Sequence, residues 1–329
     1  MFRSSLALAA ILAAAVAGTA GAADLPVKAK PKKEIEVPYF LVNENSISYH
    51  YEFKATDPGS GYTPKNVGTF SHFDVWAYGT NFINIDYLKS TAGNQGAVNL
   101  IGQYGDPTNG CDSSSVTCTG ATEIYGFVRS TLGWNELTHS KNYTMGPLKN
   151  ISFAFGLDGN SENNFVAPSK KSMQAGLQFD FAMPFNGNLS LSGFAYKEYN
   201  HFSPAASPAY PSGNTEFNVT WGAGANYTQP LGFLPTWLPM TFKGIVGLHG
   251  PKGTGAPTLT AQTKTELFSQ ATMDLDVGKM VTGKANMFSI WAGYRYWKNK
   301  FGVDPTPPGL SPVGFTLEST WLAGSTWAW

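Results

Sequence analysis

From Ser46 onward the chain alternates apolar and polar side chains with a period of two, and this rhythm limits its folds more than any other feature. Successive side chains of a strand point to opposite faces, so such alternation marks strands whose two faces meet unlike surroundings. Residues 46–55 are the clearest case, with Ile47, Tyr49, Tyr51 and Phe53 set against Ser48, His50, Glu52 and Lys54. The same pattern runs through 171–182, 215–227, 285–297 and 315–329. It is weaker at 67–77, 81–90, 122–132, 150–158, 188–199, 240–248 and 265–277. The sum is twelve candidate strands, each near the roughly 9–11 residues with which a tilted strand crosses a bilayer core.

The links between strands also alternate. Short or turn-like links follow the even strands (78–80, 138–149, 185–187, 228–239, 278–284). Longer links rich in Gly, Pro, Ser and Asn follow the odd ones (56–64, 91–121, 159–170, 200–214, 249–264, 298–311). Short turns at one end and long loops at the other are the layout of an outer-membrane barrel, with periplasmic turns and extracellular loops. A soluble β-sandwich also alternates, but its core could not bury the Glu, Asp, Lys, His and Arg of the polar faces unpaired. The apolar faces are heavy in Tyr, Trp and Phe near strand ends, as membrane-interface girdles are. The expectation is therefore an all-β transmembrane barrel of about 12 antiparallel strands over residues 46–329.

Composition narrows the function classes. Charged residues are 13% of the chain, about half the usual share of roughly a quarter, while aromatics reach 14%. Disorder requires the opposite balance. The 22 Lys and Arg match 22 Asp and Glu, so no basic excess exists to neutralise phosphates and no nucleic-acid partner is expected.

Arg3, the apolar run Leu6–Ala17 and the small residues up to Ala23 form a basic, hydrophobic and A-x-A series, which reads as a cleaved secretory signal peptide over 1–23. Residues 24–45 begin with a Pro/Lys-rich stretch and read as a periplasmic lead-in. Cys111 and Cys118 lie in the longest link and, in an oxidising compartment, read as a disulfide closing a small loop. The alternating aromatic strand that runs to Trp329 is the kind of segment the barrel assembly machinery reads. Outer-membrane lipid and lipopolysaccharide are then expected to surround the barrel.

The five histidines show no metal-ligand spacing, no G-x-S-x-G elbow occurs, and Gly250–Gly255 lacks the G-K-[ST] ending of a phosphate loop. No metal, cofactor or enzymatic activity is expected. The polar faces say more. Glu52, Asp74, Asp86, Glu123, Tyr125, Arg129, Asp180 and Arg295 are candidate lumen residues, with His50, Lys54, Asn84, Glu216, Asn218, Lys243 and Glu266 on the same faces. Both signs of charge are present, so a lumen without strong charge preference is expected. Rings and carboxylates together suit a neutral, planar, hydrogen-bonding solute. The same residues also suit a salt-bridged wall that only holds the barrel open.

Three segments carry a family resemblance: Phe70–Phe82 with Asp86–Ser90; Gly120–Leu132; and Gly146–Lys149 followed by Gly156–Asp158 and Phe165–Pro168. Together they resemble the Tsx-type nucleoside-specific channel family, including the OmpK-like outer membrane proteins. The resemblance is strongest over 46–200. It implies a twelve-stranded monomeric barrel that passes nucleosides and related small solutes by diffusion, with some members serving as phage receptors. It also implies that Glu123 and Arg129, in the best-matching segment, line the lumen. A general porin without nucleoside preference and a structural or adhesive barrel are the alternative functions.

Overall fold

The computed structural model describes residues 39–57, 61–62, 64–90, 122–162, 169–201, 212–257, 259, 262–304 and 316–329. The expected signal peptide, most of the Pro/Lys lead-in and the Cys111–Cys118 loop lie outside the described residues. Twelve long strands follow one another: β1 (Phe40–Glu52), β2 (Lys65–Trp76), β3 (Gly79–Ser90), β4 (Thr122–Gly133), β5 (Leu148–Glu162) and β6 (Lys171–Met183). They continue as β7 (Gly187–His201), β8 (Thr220–Pro230), β9 (Met240–His249), β10 (Glu266–Asp276), β11 (Phe288–Lys298) and β12 (Leu317–Ala328). Each pairs antiparallel with its neighbours in sequence, and β1 pairs with β12, from Ser46↔Ala328 to Glu52↔Leu322. The chain is a closed antiparallel β-barrel.

Closure follows from the alternation. A sheet with one apolar and one polar face can bury neither face alone, and an open edge leaves a row of unpaired N–H and C=O groups. Inside a bilayer such groups cost several kcal/mol each, so the sheet must meet itself. No helix among the described residues is long and apolar enough to cross a membrane, a statement that does not bear on strands.

Two sequence expectations need correction. β1 starts at Phe40, ahead of Ser46, so Phe40–Asn45 belong to the barrel and not to the lead-in. They pair with β2 (Asn45↔His72, Asn43↔Asp74), across a bulge between Phe40 and Val42 that hides the period of two. The candidate strand 215–227 divides: Asn214–Glu216 extends the edge of β7, and β8 begins only at Thr220. Phe217 and Asn218 turn there, their amides donating to the carbonyls of Glu198 and Lys252.

The links have the expected asymmetry. At one end β2 and β3 join through Ala77 and Tyr78, and β6 and β7 through Pro184–Asn186. A short helix, α1 (Trp134–Leu137), and a second, α2 (Val277–Thr282), sit in two other links at this end. The Asp276 carboxylate caps α2 by accepting from the Lys279 amide, and Gly283 ends it at φ 74°, a left-handed angle that suits glycine. A small hairpin of Thr56–Asp57 with Gly61–Tyr62 lies at the opposite end.

Side chains on the outer wall form three bands. Tyr39, Tyr78, Trp237 and Trp327 are exposed near the turn end, and Phe53, Tyr87, Tyr199, Trp221 and Trp321 near the loop end. Ile47, Phe70, Ile85, Val128, Leu157 and Leu191 lie between them, also exposed. An apolar belt between two aromatic girdles is the lipid-facing pattern of a transmembrane barrel.

The closure is testable with cysteines. In a background where Cys111 and Cys118 are replaced by Ser, Ser48→Cys with Thr326→Cys joins residues that face each other across the β1–β12 seam. Directly opposed strand residues have Cα atoms about 4.5–5.5 Å apart, within disulfide reach. Mild oxidation is expected to cross-link this pair and to leave Ser48→Cys with Leu322→Cys unlinked; equal linking of both pairs would contradict the register.

Candidate functional site

Contacts that skip a strand identify the inner wall. Arg295 on β11 passes β12 to place Nη1 2.6 Å from Glu52 Oε1 on β1. Lys65 on β2 passes β3 to reach Glu123 Oε2 on β4 at 3.3 Å. Side chains on the concave face converge in this way and those on the convex face diverge. Burial agrees: Glu52 and Glu318 are 2% and 0% exposed, against 56% for Ile47 and 64% for Trp321. With the inner face fixed, register assigns the rest.

The loop end of the bore is filled by ion pairs. Lys65 Nζ lies 3.0 Å from Asp57 and 3.3 Å from Glu123. Lys300 Nζ contacts Asp57 at 3.1 Å and Glu318 at 2.8 Å, and donates to the Thr56 carbonyl at 2.6 Å. Arg295 bridges Glu52 and Glu318. On the other side Lys252 pairs with Glu198, which also accepts from the Tyr196 hydroxyl at 2.8 Å. Glu266 accepts from the indole N–H of Trp297 and lies beside His249.

Lys252 and Lys300 come from long loops, not strands, and both are buried. Each inserts an ammonium into the barrel mouth to meet a wall carboxylate. Burial pulls the Lys300 pKa down, but Asp57 and Glu318 outweigh it and hold the group above its ordinary 10.5. A raised pKa stabilises the fold below the ordinary value and stops doing so as pH rises past it. The Lys300 latch is therefore fully set at neutral pH and weakens only in strong alkali.

Two further groups of side chains line the inner wall, one on β3–β6 and one on β7–β9. In the first, Arg129 Nη2 donates to Asp158 Oδ1 at 2.7 Å, and Ser172 Oγ donates to Asp158 Oδ2 at 2.6 Å. The Arg129 guanidinium sits 4.8 Å from the Phe127 ring, whose neighbours are Phe82 and Tyr125. Gly156 makes room for Arg129: a Cβ there would come 2.9 Å from its Cδ and Nη1. In the second group, Phe194 and Tyr196 contact the His249 ring at tilted angles of 60° and 35°, with centroids 5.9 and 4.2 Å apart. Phe194 lies over Gly222, where a Cβ would fall 2.0 Å from its ring.

Of the candidate lumen residues, Glu52, Asp86, Glu123, Tyr125, Arg129, Asp180 and Arg295 lie on the inner wall. Asp74 does not. It is opposite Asn81, and the spacing from Thr69↔Asp86 is odd, which places it on the outer wall. There it closes a polar chain with Asn45, His72, Asn81 and Ser130: His72 Nδ1 lies 2.9 Å from Asn45 Oδ1 and its Nε2 3.2 Å from Asp74 Oδ2. Asn81 donates to Asp74 at 2.9 Å and accepts from Ser130 at 2.7 Å. The charge suggested a lumen position, but the strand's phase assigns the other face. Glu216 is exposed and pairs with Lys197, whose odd position on β7 faces outward. Asn218 precedes β8, and Lys54 lies past β1 beside Tyr294 and Trp321.

Sequence reading missed Lys252, Lys300 and Glu198. Glu318 and Glu198 were legible as polar positions in alternating stretches, whereas a loop lysine that folds inward leaves no periodic signal.

No family model matches the sequence, and no curated protein matches it. Among solved structures, the chain is similar to an outer membrane channel from Pseudomonas putida F1, with 9% identity, a TM-score of 0.44, and 92% of this chain and 99% of that one covered. It is also similar to the β domain of the Bordetella autotransporter BrkA, with 8% identity, a TM-score of 0.36, and 87% and 98% covered. OccAB2 of Acinetobacter baumannii gives 8% identity and a TM-score of 0.31, over 87% and 97%. The reading of the bore rests on its own residues.

Removing one partner of a buried ion pair strands the other, at a cost of about 3–5 kcal/mol. Lys300→Met is expected to lower the thermal unfolding midpoint in detergent clearly, and adding Glu318→Gln to recover part of the loss. Unchanged stability in the single variant would show that the latch is not formed.

Proposed function

We propose that this protein is a passive channel of the bacterial outer membrane for small hydrophilic solutes, with nucleosides preferred. The observation that carries the reading is the set of rings and polar groups on the inner wall of a closed barrel whose outer wall is banded for lipid. A nucleoside offers a flat aromatic base and a hydroxylated sugar. Phe82, Phe127 and Phe194 place rings on the same inner wall that carries the acceptors and donors of Asp158, Arg129 and Tyr125. Stacking on open rings is worth about 1–3 kcal/mol per base and discriminates little among bases, which suits a weak transit site. The resemblance of residues 70–90, 120–132 and 146–168 to nucleoside-specific channels supports the same solute class.

Export by a cleaved signal peptide, insertion by the barrel assembly machinery through the Trp329 strand, and contact with lipopolysaccharide belong to this reading. So does use of the long loops by phage.

Purified protein in a planar bilayer is expected to conduct ions, and adenosine or thymidine to reduce the current saturably. Phe127→Ala with Phe194→Ala is expected to raise the half-blocking concentration on the order of tenfold, about 1.4 kcal/mol. Current that ignores nucleosides would leave a general porin, and no conductance at all would favour the structural or adhesive alternative.

A further inference from the structure

Among the described residues, nearly all inward cations of the bore are held in ion pairs. Lys65 faces Asp57 and Glu123, Arg129 faces Asp158, and Lys243 faces Asp274. Arg295 is held by Glu52 and Glu318, Lys252 by Glu198, and Lys300 by Asp57 and Glu318. Lys170 is drawn to Tyr196 and Glu198. Two inward carboxylates, Asp86 and Asp180, have no ion pair among the described residues. The residual charge of the wall is acidic, although the chain as a whole carries 22 charges of each sign.

The two aspartates are built alike. Asp86 Oδ1 accepts from Thr69 Oγ1 on the neighbouring strand at 2.6 Å and from Asn84 Nδ2 at 2.9 Å. Asp180 Oδ1 accepts from Ser190 Oγ on the neighbouring strand at 2.6 Å and from Gln178 Nε2 at 2.9 Å. Further bonds fix both cradles, from Ser71 to Asn84 and from Asn188 to Ser190. In each case Oδ2 has no hydrogen bond among the described residues, and both residues are half-buried on the inner wall.

A third copy of the arrangement shows what such an oxygen takes. Asp274 Oδ1 accepts from Thr272 Oγ1, again two residues back, at 2.7 Å, and its Oδ2 holds the ammonium of Lys243 at 2.6 Å. The cradle orients a carboxylate so that its second oxygen receives a cation. At Asp274 the chain supplies that cation; at Asp86 and Asp180 it does not.

We infer that the bore favours cations over anions, and that Asp86 and Asp180 set this preference by each presenting one oriented carboxylate oxygen to a passing cation or to the ammonium group of a solute. The inference rests on the channel reading and departs from the sequence expectation of a bore without charge preference. Fixed carboxylates in a narrow polar bore raise the local concentration of cations and repel anions. Their spacing along the wall gives two weak sites, not one tight one, and conduction requires that sites be weak enough to leave.

The test is the reversal potential of the full-length protein in a planar bilayer under a KCl gradient at neutral pH. The expected sign is that of potassium preference. Asp86→Asn and Asp180→Asn keep the cradle's acceptor and remove the charge. Each is expected to lower the potassium-to-chloride permeability ratio on the order of twofold, and the double variant to lower it further. Asp74→Asn, on the outer wall, is expected to leave the ratio unchanged. A wild-type preference for chloride, or ratios unmoved by both inner-wall variants, would overturn the inference while leaving a channel. A shift from Asp74→Asn equal to theirs would overturn it too. An absence of conductance would overturn the channel reading itself.

Discussion

The β1–β12 seam is the constraint on which the rest of the structure depends. In a bilayer core no water is available to satisfy a free strand edge, so each backbone N–H and C=O on the seam must find its partner in the chain. Phe40–Glu52 and Leu317–Ala328 supply matching edges, extended by paired bonds between Asn45 and Trp329. Once the seam closes, the period of two has only one meaning. One residue of each pair faces lipid and the next faces the bore, and a slip by one residue would exchange the two walls.

The two walls solve different problems. Outside, aromatic girdles and an aliphatic belt fit the layers of a membrane, and the Asn45–His72–Asp74–Asn81–Ser130 chain near the turn end satisfies its own polar atoms. Inside, charge must be held in a narrow space, and nearly every cation is paired. At the loop end the pairing also anchors loops, since Lys252 and Lys300 bring ammonium groups down from links outside the strands. Residues at the mouth therefore hold the loops and line the bore at once. Gly156 and Gly222 leave the hollows in which Arg129 and Phe194 lie, so the rings and charges there are set by packing across strand pairs.

The strands were legible in the sequence because alternation is a local property. Twelve candidate strands, their order and the long-loop and short-turn ends can all be read from it. The limits of that reading are equally physical. A bulge near Phe40 broke the phase and concealed the start of β1. Asp74 was placed in the lumen by its charge, although its phase relative to Asp86 puts it on the other wall. Lys252 and Lys300 were illegible because a loop has no period, and their partners are 54 and 18 residues away. The pairing of charges was equally hidden: mixed signs in the sequence suggest a balanced bore, and only the contacts show which carboxylates remain unpaired.

The central claim is that neighbouring residues of one strand stand in different solvents. Nitroxide labels placed singly at 84, 85, 86 and 87 of β3 in lipid bilayers test it directly, by their collision rates with oxygen and with a water-soluble nickel chelate. The account expects the labels at 84 and 86 to meet the chelate and those at 85 and 87 to meet oxygen, with the two rates out of phase. Rates that vary smoothly along the four positions, or in the opposite phase, would contradict it.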